Sequence, residues 1–448
     1  MKYVLFTAAV LGILPATLFI LMDRRWLRWA VCALAVLILV FQETAINFFS
    51  HEDYRGTSRG LEVSLIYLVA LVVLLVLTFS KGFRSPFPDL GSKLYAVYFL
   101  LSLPSIMNAE NALYSVFEVW KMIMVWLVFL AASRYLRETG DFDAILYGIG
   151  AVTLVNFLVI VRQHIGGIYQ VNGVFPHQNS MAMFMTATGA LFFARFFSAS
   201  RGWKRWFAFA VFAAASISLV RTYSRGALIC YPFACMIVAA ASLRYEFRMR
   251  KIRILIPIVL LCLFGFGLFL PRVVERFESA PKSSGETRKN FAIAAMNMIR
   301  DKPLFGVGLN NWGIKINPPY EYSRHRDPAK GYSEDFKDGI VETIYLLVGA
   351  ECGIPALLAL LAWFGSYLVL AFRILRPLSG TELFFIPAGM LGGLAGAYLQ
   401  SALEWVLKQQ VNFIELMLLF ALLGWAGAEA KKIRGNPKIR EKAMEAAA

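Results

Sequence analysis

The chain has 448 residues, of which 58% are hydrophobic and only 17% charged, with a mean hydropathy of +0.60. An ordinary water-soluble core is excluded, and lipid must be the main solvent. The net charge of +16 does not indicate nucleic acid, because the basic residues stand in short clusters between apolar runs rather than along one soluble face.

Apolar runs of spanning or near-spanning length fall near 3–22, 28–42, 61–80, 94–107, 112–133, 143–162, 178–198, 206–220, 226–243, 254–271, 342–372, 383–403 and 410–428. The first has the length of a signal peptide, but a second apolar segment follows and no small-residue cleavage site is evident, so it is read as a retained helix. The fold class expected is an all-α polytopic membrane protein with about 12–13 transmembrane helices, forming one membrane domain over 1–448. Neither an internal repeat nor a sheet is indicated. The cysteines have no metal-ligand spacing and read as small core residues.

Alternate loops carry Arg24, Arg25 and Arg28; Lys81, Arg84 and Lys93; Arg134 and Arg137; Arg201, Lys204 and Arg205; a cluster from Arg244 to Arg253; Arg373 and Arg376; and a basic tail from Lys431. Basic loops stay cytoplasmic. The other side, the periplasm of a bacterial inner membrane, then receives 43–60, 108–111, 163–177, 221–225, 404–409 and one long loop, 272–341.

The turn Arg221-Thr222-Tyr223-Ser224-Arg225-Gly226 puts two arginines on the side where basic residues are disfavoured. Either they snorkel to lipid headgroups, or an anion compensates them. A guanidinium's planar fork suits paired phosphate oxygens and holds a pyrophosphate without a metal. No metal and no cofactor are expected.

In the long loop, Thr287-Arg288-Lys289-Asn290 opens an amphipathic segment, Phe291 to Ile299, suited to lie against the membrane surface. Pro303 stops it, and Gly306 and Gly308 permit a tight path to Asn310. Trp312, Tyr320, Tyr322, His325 and Tyr332 then suit either sugar recognition or a folded lid.

Glu342 and Glu351 flank the entrance of the next apolar helix. Nine residues apart, they point to opposite faces unless Gly353 marks a break. Glu342, at the membrane edge, is the better general base; a helix-start acid favoured by the dipole is the alternative. His177 lies in Gly173-Val174-Phe175-Pro176-His177-Gln178-Asn179, a turn leading into a helix whose first donors, capped by Asn179 or Ser180, suit an anion; Arg162 precedes it. Within the apolar runs, Glu118 and Lys121 are spaced to pair, and with Arg195 and Glu404 they would mark a pathway if the chain were a transporter.

Together, Gly173-Val174-Phe175-Pro176-His177-Gln178-Asn179, Ser224-Arg225-Gly226-Ala227, the Arg288 segment ending in Pro303-Leu304-Phe305-Gly306-Val307-Gly308, and Tyr345-Leu346 followed by Glu351-Cys352-Gly353-Ile354 resemble the O-antigen ligase and O-antigen polymerase superfamily. The resemblance implies a GT-C-like membrane glycosyltransferase with its periplasmic loop folded over a cavity. Its donor would be a glycan on a polyprenyl (undecaprenyl) pyrophosphate carrier; its acceptor a growing glycan, lipid A core or protein-linked sugar.

By match to the family's motifs, Arg225 and Arg288 would hold the pyrophosphate. Ligases of the family carry a His-Asn pair where this chain has Glu342-Thr343. Either Glu342 replaces the histidine, or a loop histidine does, or the chain is polymerase-like. The expected catalytic set is Glu342, Arg225 and Arg288, with Arg162, Arg221, His177, Asn179, Tyr345 and His325 binding substrate. The rival readings are a polysaccharide transporter and a non-catalytic assembly subunit.

Overall fold

The computed structural model describes residues 23–51, 53–198, 202–247, 251–253, 255–257, 282–317, 320, 322 and 339–436, with Thr7, Leu11 and Met249 besides. Most of the expected spans 3–22 and 254–271 lies outside the described residues, as do His325 and Tyr332. The fold is nearly all helical. Helices long and apolar enough to cross a membrane are α1 (Arg24–Thr44), α3 (Leu90–Asn108), α4 (Ala112–Thr139), α5 (Asp143–Ile165), α6 (Gln178–Phe197), α7 (Trp203–Arg221), α8 (Arg225–Tyr245), α10 (Ile344–Leu378), α11 (Glu382–Gln400) and α12 (Gln410–Gly435). The apolar α2 (Leu65–Lys81) is shorter, and α9 (Lys282–Asp301) is amphipathic.

The sequence places several of these boundaries through local chemistry. Asp89 and Ser92 form a reciprocal capping box at the start of α3, with Ser92 N donating to Asp89 Oδ1 at 2.7 Å and Asp89 N to Ser92 Oγ at 3.1 Å. Gly140, in the left-handed region at φ 69°, closes α4.

One departure from the all-helical expectation is a two-stranded antiparallel ladder, β1 (Ile46–Phe48) on β2 (Leu61–Val63), with Asn47 opposite Glu62. The apolar run expected from 61 therefore begins as a strand. Two strands of three residues carry too little alternation to be told from a helix start.

The chain divides into two compact units. The first comprises 1–152, 287–367 and 401–424; the second comprises 153–286, 368–400 and 425–448. In the second, α6 is buried along its whole length from Ser180 to Phe197. Close packing there depends on small residues: a side chain at Gly389 would strike the backbone of Leu191, and one at Gly392 the carbonyl of Ala234.

In the first unit, α9 does not present its apolar face to lipid. Phe291, Ala294, Ala295 and Met298 recur at helical spacing and pack with Val307, Trp312, Ile316, Val341, Leu347 and Ala350 into one buried cluster. The protein itself covers the stripe that an isolated helix would give to a membrane.

The helix α10 is broken at Gly353, whose φ of 83° and ψ of 175° are open only to glycine. A break inside an apolar helix frees carbonyls and amides that need partners. Val307 N donates to Ala350 O at 2.9 Å, Gly308 N to Glu351 O at 3.0 Å, and Ile354 N to Pro303 O at 2.7 Å. The segment after α9 thus completes the broken helix from both sides of the break, donating to two carbonyls and accepting from one amide. Gly306 must be glycine because a Cβ would collide with the Glu351 backbone.

Replacing Gly353 by Ala is expected to cost about 1–3 kcal/mol, since the backbone is strained and the new Cβ meets the backbone of Leu304. Thermal unfolding of the purified protein in detergent checks this, and an unchanged Tm would contradict the account of the break.

Candidate functional site

The first unit holds four ionisable side chains, acidic and basic in alternation, all nearly or wholly inaccessible. Lys121 Nζ lies 2.7 Å from Glu118 Oε2, Glu118 Oε1 lies 3.2 Å from Lys408 Nζ, and Lys408 Nζ lies 3.6 Å from Glu351 Oε2. The anticipated pairing of Glu118 with Lys121 is found, as part of a longer chain. Its formal charge sums to zero, which is what makes its burial tolerable.

Lys408 is raised well above lysine's ordinary range: burial opposes its charge, and Glu118 and then Glu351 outweigh it. Neutral groups complete the network. Glu118 Oε2 also accepts from Thr57 Oγ1 at 2.7 Å and Ser58 Oγ at 2.6 Å, and Glu351 Oε1 from Trp312 N at 3.3 Å.

Asn310 and Asn311 tie this network to the chain that mends α10. Asn310 takes a left-handed φ of 55°; its Oδ1 accepts from Thr57 N at 2.8 Å, and its Nδ2 donates to Ser58 O and Tyr114 O, each at 2.8 Å. Asn311 Oδ1 accepts from Asn111 N at 2.9 Å. The family-like motif ending at Asn310 is thus a structural joint, fastened to the β1–β2 loop, to α4 and to α10.

On the same unit, Arg288 of α9 is ion-paired with Glu342 through Nη2 and Oε2. Both side chains stay partly open, at 38% and 37%. Glu342 precedes α10, which starts at Ile344, and Leu347 N donates to Thr343 O at 3.0 Å. Glu342 and Glu351 are therefore in different environments, one at the surface beside an arginine, the other sealed in the charge chain. Tyr345 is half-buried one residue into the helix.

In the second unit, Arg225 begins α8 and Arg221 ends α7, with Ser224 at the N-cap position. Tyr223 adopts a left-handed φ of 49° and stacks on Tyr169 with ring centroids 4.9 Å apart; Thr222 Oγ1 donates to Leu219 O at 2.6 Å. Among the described residues, no side chain is hydrogen-bonded or ion-paired to Arg225. A cation in a helix's first turn opposes the helix dipole, so this position favours an external anion.

The turn at 172–177 is held by α5 of the same unit. Gln163 Oε1 accepts from Gly173 N at 2.9 Å, Gln163 Nε2 donates to Gly173 O at 2.9 Å, and Asn156 Oδ1 accepts from Val174 N at 2.9 Å. The expected cap by Asn179 or Ser180 is corrected: His177 is the N-cap, and its Nδ1 accepts from Asn179 N at 3.2 Å. An accepting Nδ1 requires the proton on Nε2. Arg162 is exposed near the end of α5.

The structure pairs Glu342 with Arg288 and keeps Arg225, Arg221, His177, Asn179 and Arg162 in the second unit. Sequence reasoning missed Lys408, Asn310, Asn311, Asn156 and Gln163 as organising residues. Their only signal was a polar residue beside or within an apolar run, and Lys408 sat in a segment read as an extramembrane loop.

Residues 209–361 match a family model described as O-antigen ligase. That stretch of the chain is similar to O-antigen ligases. The match runs from α7 into α10, taking in the Arg225 turn, Arg288, the Pro303–Asn310 joint, Glu342 and the Gly353 break, and it supports the superfamily read from the motifs. Members of this family are glycosyltransferase-like enzymes. No curated protein matches the chain.

Removing Lys408 tests the charge chain. Lys408→Met leaves two buried carboxylates with one cation and is expected to cost about 3–5 kcal/mol; adding Glu351→Gln should recover part of that in a double-mutant cycle of thermal stability. Independent effects would refute the coupling.

Glu62, on β2 outside the membrane helices, gives a pH signature. Burial raises its pKa from 4.5 to about 7, with Lys121 opposing the rise. Between these values the unfolded state ionises while the folded state keeps its proton, so stability falls as pH rises from 4.5 to about 7. Glu62→Gln should flatten that part of the Tm-against-pH curve.

Proposed function

We propose that the protein transfers a glycan from a polyprenyl pyrophosphate carrier to an acceptor sugar hydroxyl at the periplasmic face of the bacterial inner membrane, as an O-antigen ligase does. The observation that carries this reading is the pair of differently occupied arginines. Among the described residues Arg225, at a helix start, has no counter-charge, and Arg288 has one that is partly open to solvent. Both suit an incoming pyrophosphate, whose oxygens accept a guanidinium's forked donors.

The chemistry is a single displacement with inversion. The acceptor oxygen attacks the anomeric carbon as the bond to the pyrophosphate breaks; the carrier leaves with the bonding pair, and arginine charge stabilises it. Glu342 takes the acceptor's proton. Donor phosphates that engage Arg288 displace Glu342 from it, which frees the carboxylate to reach the acceptor's proton. Loading of the leaving group and release of the base are then one event. Guanidinium charge neutralises the phosphates in this reading, and the reaction needs no metal.

A polymerase of the same superfamily would use the same chemistry with a growing glycan as acceptor, and Glu342-Thr343 in place of the ligases' His-Asn favours keeping that reading. The two differ in what accumulates. In cells lacking the protein, long carrier-linked glycans indicate a ligase and single repeat units a polymerase; an unchanged pool refutes both.

Arg225→Ala and Arg288→Ala are each expected to reduce transfer by about 10²–10³-fold with normal membrane insertion. Glu342→Gln should reduce kcat by about 10²–10⁴-fold without weakening donor binding, because a neutral amide no longer competes for Arg288. Membrane-vesicle kinetics separate KM from kcat; a Glu342→Gln defect confined to KM would remove Glu342 as the base.

A further inference from the structure

The β1–β2 loop that sends Thr57 and Ser58 to the buried charges also walls an open cleft of about 520 Å³. The other walls are the start of α4 and the turn at Gly313, in the same unit. The volume lies within the range of about 300–1,000 Å³ typical of small-molecule sites, but the lining is unlike an apolar pocket. Asp53 and Glu110 contribute carboxylates, Arg55 and Asn111 contribute donors, and Tyr54 and Tyr114 stack on one another with centroids 3.8 Å apart. His51 meets the Tyr114 ring edge-on at 5.4 Å.

We propose that this cleft is a glycan-binding subsite that takes an uncharged, hydroxyl-rich sugar residue of a transfer substrate. A pyranose ring has a faintly apolar face and a rim of hydroxyls that both donate and accept. The partly open Tyr114 ring and the exposed His51 ring, with carboxylates and donors beside them, answer both features. A phosphate would face two carboxylates against the single guanidinium of Arg55, and a lipid chain would find little aliphatic wall, with Ile314 the one aliphatic side chain among the described lining residues.

The cleft is also built rather than incidental. Tyr54 OH donates to Asn310 O, and His51 N donates to Arg59 O at 2.8 Å to close the loop. Gly313 lets the loop approach, since a Cβ there would come within 2.9 Å of Arg55 O and 3.2 Å of the Tyr54 ring. Glu110 is held below the usual carboxylate range by Tyr320 first and by Lys315, whose Nζ lies 3.2 Å away. The wall is therefore anchored on the joint that mends α10. Residues 51–55 and 110–114 lie outside the segment that matches the ligase family.

This subsite rests on the glycan-transfer reading, and its test separates the two. The full-length protein in nanodiscs would be titrated, by saturation-transfer NMR, with oligosaccharide released by mild acid from the host's polyprenyl-linked pool. A second titration would use oligosaccharide released from the host's envelope glycolipid. Asp53→Asn preserves shape, and Tyr114→Ala is a second variant, accepted after its Tm is measured.

At least one oligosaccharide should bind the wild type, with binding reduced about tenfold or more by each variant and unchanged in Arg225→Ala, which acts on the phosphates. The oligosaccharide affected identifies donor or acceptor as its source. Binding of neither, or binding indifferent to both cleft variants, overturns the subsite. Full transfer by Arg225→Ala would overturn the proposed reaction while leaving the binding result intact.

Discussion

A helix in lipid must satisfy every backbone group within protein, and at Gly353 α10 leaves groups that its own turns cannot satisfy. The repair by Pro303, Val307 and Gly308 is the constraint from which the first unit's arrangement follows. It fixes the end of α9, whose apolar face then closes over the start of α10. It also carries the chain to Asn310 and Asn311, which fasten it to the β1–β2 loop and to α4. Two motifs some fifty residues apart in sequence are in this sense one structural device.

The buried charge chain sits against this joint and explains its polar residues. Glu351 lies two residues before the break, and Lys408 links it to Glu118. Four charges in an interior are tolerable because they alternate and because Thr57, Ser58 and Trp312 supply further hydrogen bonds. Such a network does not maximise stability, but it admits few other registers between the segments it joins.

Against that rigid background, the outward-facing groups differ in kind. Glu342 and Arg288 are paired yet solvent-accessible, so the pair is exchangeable in a way the interior chain is not. Arg225 stands at a helix start in the other unit. On sequence alone Glu118 and Lys121 read as a pair or as marks of a transport pathway, and Glu342 as a general base or a helix-start acid; burial and partner identity distinguish fixed charges from exchangeable ones.

Hydropathy and periodicity were enough to read most of the described helices, because burial in lipid is written residue by residue into each span. The Arg225 turn, the Arg288 segment and the Gly353 break were likewise legible, since each departs from what an apolar run tolerates. Lys408 as the hub of the charge chain, the pairing of Arg288 with Glu342, His177 as a cap and the cover over α9 were not. Each depends on which distant segment meets which, and a sequence lists polar residues without their partners. Local composition thus determined what must be buried or exposed; only the tertiary structure decided which charges neutralise one another, because Coulomb and hydrogen-bond energies depend on distances that chain order does not contain.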